Sequence, residues 1–198
     1  MGREKELKTQ FPAVTAAVLG VALAAWFWPG FGDVLVYDRS RILDGEAWRI
    51  FTGPFAHFSA SHLFWDALVF GAAGIAIELK GLRRFWLVCA LSAIVPGLAY
   101  LWFSPGIERF GGLSGTATAA VAYLCLWEAG KPGRARRLWM AILVLTAMKI
   151  GMEAEFHVTL FAGSEKAAFR VLPSAHVIGL CSALAVYMAS RPVKIKKP

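Results

Sequence analysis

Residues 109 to 120 read RFGGLSGTATAA, placing a lone serine, Ser114, between glycines at the head of a run of small and apolar residues. Two readings fit this stretch by itself. Small residues interspersed with Ser or Thr make a common packing face between membrane helices. Alternatively, Gly111, Gly112 and Gly115 give the bare backbone that lets a substrate approach a nucleophilic hydroxyl. Which reading applies depends on what surrounds the stretch.

The surroundings are those of a membrane protein. Of the 198 residues 58% are hydrophobic and 17% charged, and mean hydropathy is +0.56. Six apolar runs approach the roughly 20 residues needed to cross a bilayer: 11–31, 60–79, 84–103, 113–129, 137–156 and 173–190. Pro, Gly and charge mark their ends, as in WPGFGD, LKGLRR, FSPGIE and EAGKPGRARR. Pro96 and Gly97 interrupt the third run. The expected fold is therefore an all-α, six-span bundle forming a single domain over 1–198. Residues 32–59, the longest segment between runs, mix Trp48, Phe51, Phe55 and Phe58 with charges and read as an amphipathic element lying in the interface.

Basic residues orient the bundle. With the N-terminus in the cytoplasm, the cytoplasmic segments hold 14 of the 21 Lys and Arg residues: Arg3, Lys5, Lys8; Lys80, Arg83, Arg84; Lys131, Arg134, Arg136, Arg137; Arg191, Lys194, Lys196, Lys197. Arg39, Arg41, Arg49, Arg109, Lys166 and Arg170 fall outside, and Lys149 within a run. Both termini are thus expected in the cytoplasm. The same asymmetry accounts for the net charge of +8 without a nucleic-acid partner. Residues 1–24 also resemble a signal peptide ending in ALA, although the apolar run continues well past a usual h-region. The odd set Cys89, Cys125 and Cys181 falls inside the runs and reads as small buried hydrophobes.

Polar groups inside a span are costly and mark functional positions. Alternating direction puts His57, His62 and Asp66, Ser114, His176, and Lys149 with Glu153 on the outer side at similar depth. Ser and His within reach of each other make a nucleophile and general base. The N–H groups at a helix start favour an oxyanion. Blander roles stand beside these: Lys149 and Glu153, spaced i,i+4, can neutralise each other; Trp48 and Arg49 can anchor the interface; Glu78 can pair with Lys80, Arg83 and Arg84; and His57 can be positional. His157 has no assigned role.

Taken in order, the motifs resemble the rhomboid intramembrane serine proteases. GLSG at 112–115 resembles the family's G-x-S-G, which implies Ser114 as nucleophile. AHVIG at 175–179 resembles A-H-x-x-G, which implies His176 as base, with Gly179 as a structural or positioning residue. HFSASHLFWD at 57–66 is similar to H-x4-H-x3-N, implying His62 and position 66 as oxyanion auxiliaries, with Gly112 and Leu113 beside them. EAWRIFT at 46–52 matches the W-R pair, and Glu78 a structural Glu closing the second helix. Asp66 departs from the usual Asn. An ionised carboxylate cannot donate to an oxyanion, so Asp66 is either protonated or an acceptor orienting His62 or His176. Thr118 replaces a frequent Tyr, and Val171 and Ala183 replace flanking glycines.

Small size, YDRSRILDGEAWRIFTG and MKIGMEAEF resemble the rhombosortase branch. This resemblance implies a bacterial inner-membrane protein, a membrane-anchored substrate with a Gly-Gly type C-terminal sorting tail, and no cofactor. Other functions to weigh are a catalytically silent relative that binds membrane helices, a metal-dependent protease, disfavoured because H-E-x-x-H is missing, and a small transporter or proton relay.

Overall fold

The computed structural model describes residues 11–82, 84–156 and 172–191. Arg3, Lys5, Lys8, Arg83, His157, Lys166, Arg170, Val171, Lys194, Lys196 and Lys197 lie outside the described residues, as do residues 1–10 of the stretch that resembles a signal peptide.

A helix occupies each of the six apolar intervals: α1 Ala13–Phe27, α5 Ala60–Leu79, α6 Phe85–Phe103, α7 Ser114–Ala129, α8 Ala135–Phe156 and α9 Pro173–Ser190. Among the described residues, α5, α6 and α9 are long and apolar enough to cross a membrane. Between α1 and α5 the chain forms three short helices, α2 Phe31–Leu35, α3 Arg39–Leu43 and α4 Arg49–Thr52, followed by a 3-10 turn at Gly53–Phe55. The segment 32–59 is thus a folded unit with its own buried side chains, including Leu35, Val36, Tyr37 and Ile42. It is not one amphipathic element.

Helix α7 is the hub, packed against α5, α6, α8 and α9. Its buried positions are mostly small: Gly115, Thr116, Ala117, Ala119, Ala120 and Ala122. Without a hydrophobic driving force between helices in lipid, close backbone approach supplies the packing energy. The alanine-rich stretch after Ser114 is suited to that. Ser92 of α6 donates to the Thr116 hydroxyl across 3.2 Å and to the Cys89 carbonyl.

Pro96 does not end α6, which runs unbroken to Phe103. Proline within a membrane helix is tolerated where neighbours cover the freed backbone. The next residue, Gly97, lies against the backbone of Ile50, leaving no room for a Cβ. The Pro-Gly pair is therefore where α4 docks on α6 rather than a break.

Among the described residues Glu78 makes no ion pair with Lys80 or Arg84. Its carboxylate crosses to the start of α1, accepting from the backbone N–H groups of Val14 and Thr15 at 3.0 and 2.8 Å and from the Thr15 hydroxyl at 2.6 Å. Helix α1 has no side-chain cap of its own, so Glu78 satisfies donors that would otherwise be open. Lys80 pairs instead with Glu128. Cys89 and Cys125 are buried as expected, but Cys181 faces outward.

Candidate active site

Ser114 is the first residue of α7, and the preceding Leu113 provides no side-chain cap. The N–H groups of the first turn therefore stay open to whatever lies in front of Ser114. The Ser114 hydroxyl, half-buried, makes no hydrogen bond among the described residues.

The glycines around it have specific work, and it is internal. Gly112 has φ 110, a left-handed conformation that favours glycine. A Cβ there would overlap the His62 ring, lying 2.6 Å from Nε2. A Cβ on Gly111 would sit 2.7 Å from the Ala56 carbonyl oxygen. The bare backbone before Ser114 thus makes room for the 32–59 segment and for the start of α5, and the packing reading holds for these two positions.

Helix α9 approaches on the other side. A Cβ on Gly115 would be 3.0 Å from the Ala175 carbonyl oxygen, and one on Gly179 would overlap the Gly115 carbonyl. Backbone therefore meets backbone at the residue after Ser114 and the residue before His176. Tyr100 and Ser174 hydroxyls, 3.0 Å apart, fix the start of α9 to α6. Nothing in the sequence pointed to this pair, since 74 residues separate its members.

His176 is buried, and its Nδ1 lies 2.9 Å from Oε2 of the equally buried Glu153. The two atoms are at ion-pair distance but off the line of a hydrogen bond. The other carboxylate oxygen, Oε1, accepts from Lys149 Nζ at 2.6 Å. Lys149 and Glu153 do neutralise each other, but that pairing occupies only half of the carboxylate.

Asp66 makes a second cluster. Its Oδ2 stands 3.2 Å from Nε2 of His57 and 3.1 Å from Nε2 of His62. It consequently orients this histidine pair and not His176, which Glu153 contacts. His57 Nδ1 is 3.1 Å from the Phe55 carbonyl oxygen, and the Leu113 N–H approaches His57 Nε2 at 3.4 Å. His57 precedes α5, whose N-cap is Ser59, accepting from the His62 N–H.

The segment leading into this cluster is held from within. Arg49 is 1% exposed; its guanidinium donates to Glu46 at 2.6 Å and to the carbonyls of Asp33 and Val36 at 2.6 and 2.8 Å. That corrects its reading as an interfacial anchor. Trp48, by contrast, is substantially exposed and donates its indole N–H to the Val34 carbonyl. A two-residue antiparallel pairing, β1 Tyr37–Asp38 with β2 Arg109–Phe110, ties the segment to the chain just before Gly111. Burial alone would raise the Asp38 carboxyl, but the Ser40 hydroxyl, the Arg41 N–H and Arg109 outweigh it and hold it below the usual carboxylate range.

A mostly helical membrane protein with a serine and a histidine at the contact of two helix starts is the class that fold and site define. The Rhomboid domain model matches residues 44–192, and the chain belongs to the rhomboid family. It is an integral membrane protein. Rhomboid protease GlpG of Klebsiella pneumoniae subsp. pneumoniae is 30% identical over 152 residues, covering 76% of this chain and 50% of that protein. GlpG of Salmonella newport is 33% identical over 93 residues, 46% of this chain and 33% of the relative. The chain thus spans about half the length, or less, of these curated relatives.

Proposed function

We propose that the protein is an intramembrane serine protease that cleaves single-span membrane proteins with Ser114 as nucleophile and His176 as general base. The observation that carries this reading is the backbone contact of Gly115 with Ala175 and Gly179. It supports a Ser114 and His176 pairing at one end of the bundle.

In this reading Ser114 Oγ adds to the scissile carbonyl carbon while its proton passes to the imidazole of His176. Collapse of the tetrahedral intermediate breaks the C–N bond as that proton is returned to the leaving amine. Water then hydrolyses the acyl-enzyme by the same base. The uncapped start of α7 supports an oxyanion site made of backbone N–H groups. His62 borders it through Gly112, and its Nε2 faces Asp66. Catalytic hydrogen bonds commonly tighten only when substrate is bound, in keeping with the unengaged Ser114 hydroxyl.

The membrane arrangement belongs to the same proposal. All six long helices cross as one rhomboid-like domain, both termini lie in the cytoplasm, and the site opens near the outer face of a bacterial inner membrane. The substrate is a membrane-anchored protein, with a Gly-Gly type C-terminal sorting tail as the favoured class. Motifs of the rhombosortase kind in 37–53 and 148–156 support that choice.

Co-expression with an epitope-tagged, single-span reporter carrying such a tail tests the reading. Cleavage by the wild type, lost in Ser114→Ala and His176→Ala variants present at equal level, is the expected outcome. Equal cleavage by Ser114→Ala would refute it.

A further inference from the structure

Helix α8 is 22 residues long, yet only Ile150 and Glu153 are buried in it. A helix facing apolar surroundings along most of its length spends half of its deep burial on a carboxylate. Placing an unpartnered carboxylate there would be costly, and such groups persist only where partners hold them. Glu153 has two, one per oxygen. Oε1 takes the Lys149 ammonium at 2.6 Å, and Oε2 stands 2.9 Å from Nδ1 of His176. Both members of the second contact are nearly sealed, at 3% and 2% exposure.

We infer that Glu153 is a positioning residue that makes His176 the base, so that Ser114, His176 and Glu153 form a triad whose acid is steadied by Lys149. This rests on the assignment of Ser114 and His176 given above.

The tautomer of His176 decides which of its nitrogens can act as base. A neutral imidazole carries its proton on one nitrogen, and the hydrogen bond made by that nitrogen decides which. A carboxylate facing Nδ1 keeps the proton there. Nε2 is then left with its lone pair, the form that can take a proton from a serine hydroxyl. When the ring becomes cationic, the same carboxylate lies against the new charge. At 2.9 Å the two atoms are already within hydrogen-bond distance. Lys149, one helical turn before Glu153, fixes the carboxylate and leaves Oε2 for the histidine. Asp66 is already committed to His57 and His62, so the acid for His176 comes from α8.

Two measurements test this on the full chain in detergent micelles. The first is the rate of covalent labelling by a fluorophosphonate in the wild type, Glu153→Gln, Glu153→Asp, Ser114→Ala and His176→Ala. Glu153→Gln is expected to label at least about 10²-fold more slowly, and Glu153→Asp to recover part of the loss. A Glu153→Gln rate within twofold of wild type, with His176→Ala inactive, overturns the triad but leaves the Ser114 and His176 pairing intact. Labelling unaffected in His176→Ala or Ser114→Ala refutes the underlying pairing instead.

The second needs no Glu153 variant to fold. In wild-type protein labelled with 15N-histidine, the His176 signals, identified by their loss in His176→Ala, should report a protonated Nδ1 and a bare Nε2. The opposite tautomer contradicts the inference.

Discussion

The carbonyl of Gly115 occupies the space that a Cβ on Gly179 would need. This contact sets how closely α7 and α9 approach, and therefore how close Ser114 and His176 come. Gly179→Ala should push α9 away from α7. Overpacking of this kind typically costs about 1–3 kcal/mol. We expect a lower Tm in detergent and at least a tenfold fall in fluorophosphonate labelling, whereas Gly151→Ala, on α8 with nothing within 4 Å of its added Cβ, should change neither. A Gly179→Ala protein with wild-type labelling would show that the approach is not limiting.

Asp66 touches both His57 and His62 through one oxygen. Asn keeps an acceptor at that place, so Asp66→Asn should retain reporter cleavage to within about tenfold. Asp66→Leu removes the acceptor that Nε2 of both imidazoles faces, a loss of about 1–3 kcal/mol or more. Its cleavage should fall well below that of the Asn variant. Similar losses in both variants would show that the charge, and not the acceptor, is what matters.

Arg49 spans Glu46 and the carbonyls of Asp33 and Val36 with one planar fork. Lysine cannot reproduce that geometry. A buried carbonyl left without its donor costs about 1–3 kcal/mol. Arg49→Lys should therefore expose residues 32–59 to limited proteolysis at temperatures where the wild type resists. Unchanged cleavage kinetics in this segment would mean that the β1 and β2 pairing and the docking of α4 on α6 hold it without the guanidinium.

Glu78 caps the start of α1 through Thr15, 63 residues earlier in the chain. Loss of a capping side chain costs about 0.5–2 kcal/mol. Glu78→Ala should lower Tm, and Glu78→Gln, which keeps one acceptor, should recover part of the difference. If the two variants melt together, the negative charge near the start of α1 carries the effect.

These cases also show where reading the chain residue by residue stops. The six helical intervals were visible because apolar runs bounded by Pro, Gly and charge are a local signal, and α5 and α9 start and end where the runs do. Ser114 and His176 stood out for the same reason: each is a polar residue at the head of such a run. What Glu78, Arg49 and Glu153 contact was not legible. Their partners lie on other helices or in carbonyls that have no residue-type signature. Glu153 and Lys149 looked complete as an i,i+4 pair, and only packing of α9 against α8 brings His176 to the second oxygen. The glycines misled in the other direction. Gly111 and Gly112 suggested room for a substrate, but the room is filled by Ala56 and His62.

The central claim is that the Ser114 hydroxyl is an activated nucleophile. Mass spectrometry of the full chain after exposure to a fluorophosphonate in detergent tests it most directly. The account predicts one adduct, located on the peptide containing Ser114, lost in Ser114→Ala and reduced at least a hundredfold in rate in His176→Ala. A wild-type protein that stays unmodified while folded, or an adduct that persists in Ser114→Ala, would contradict it.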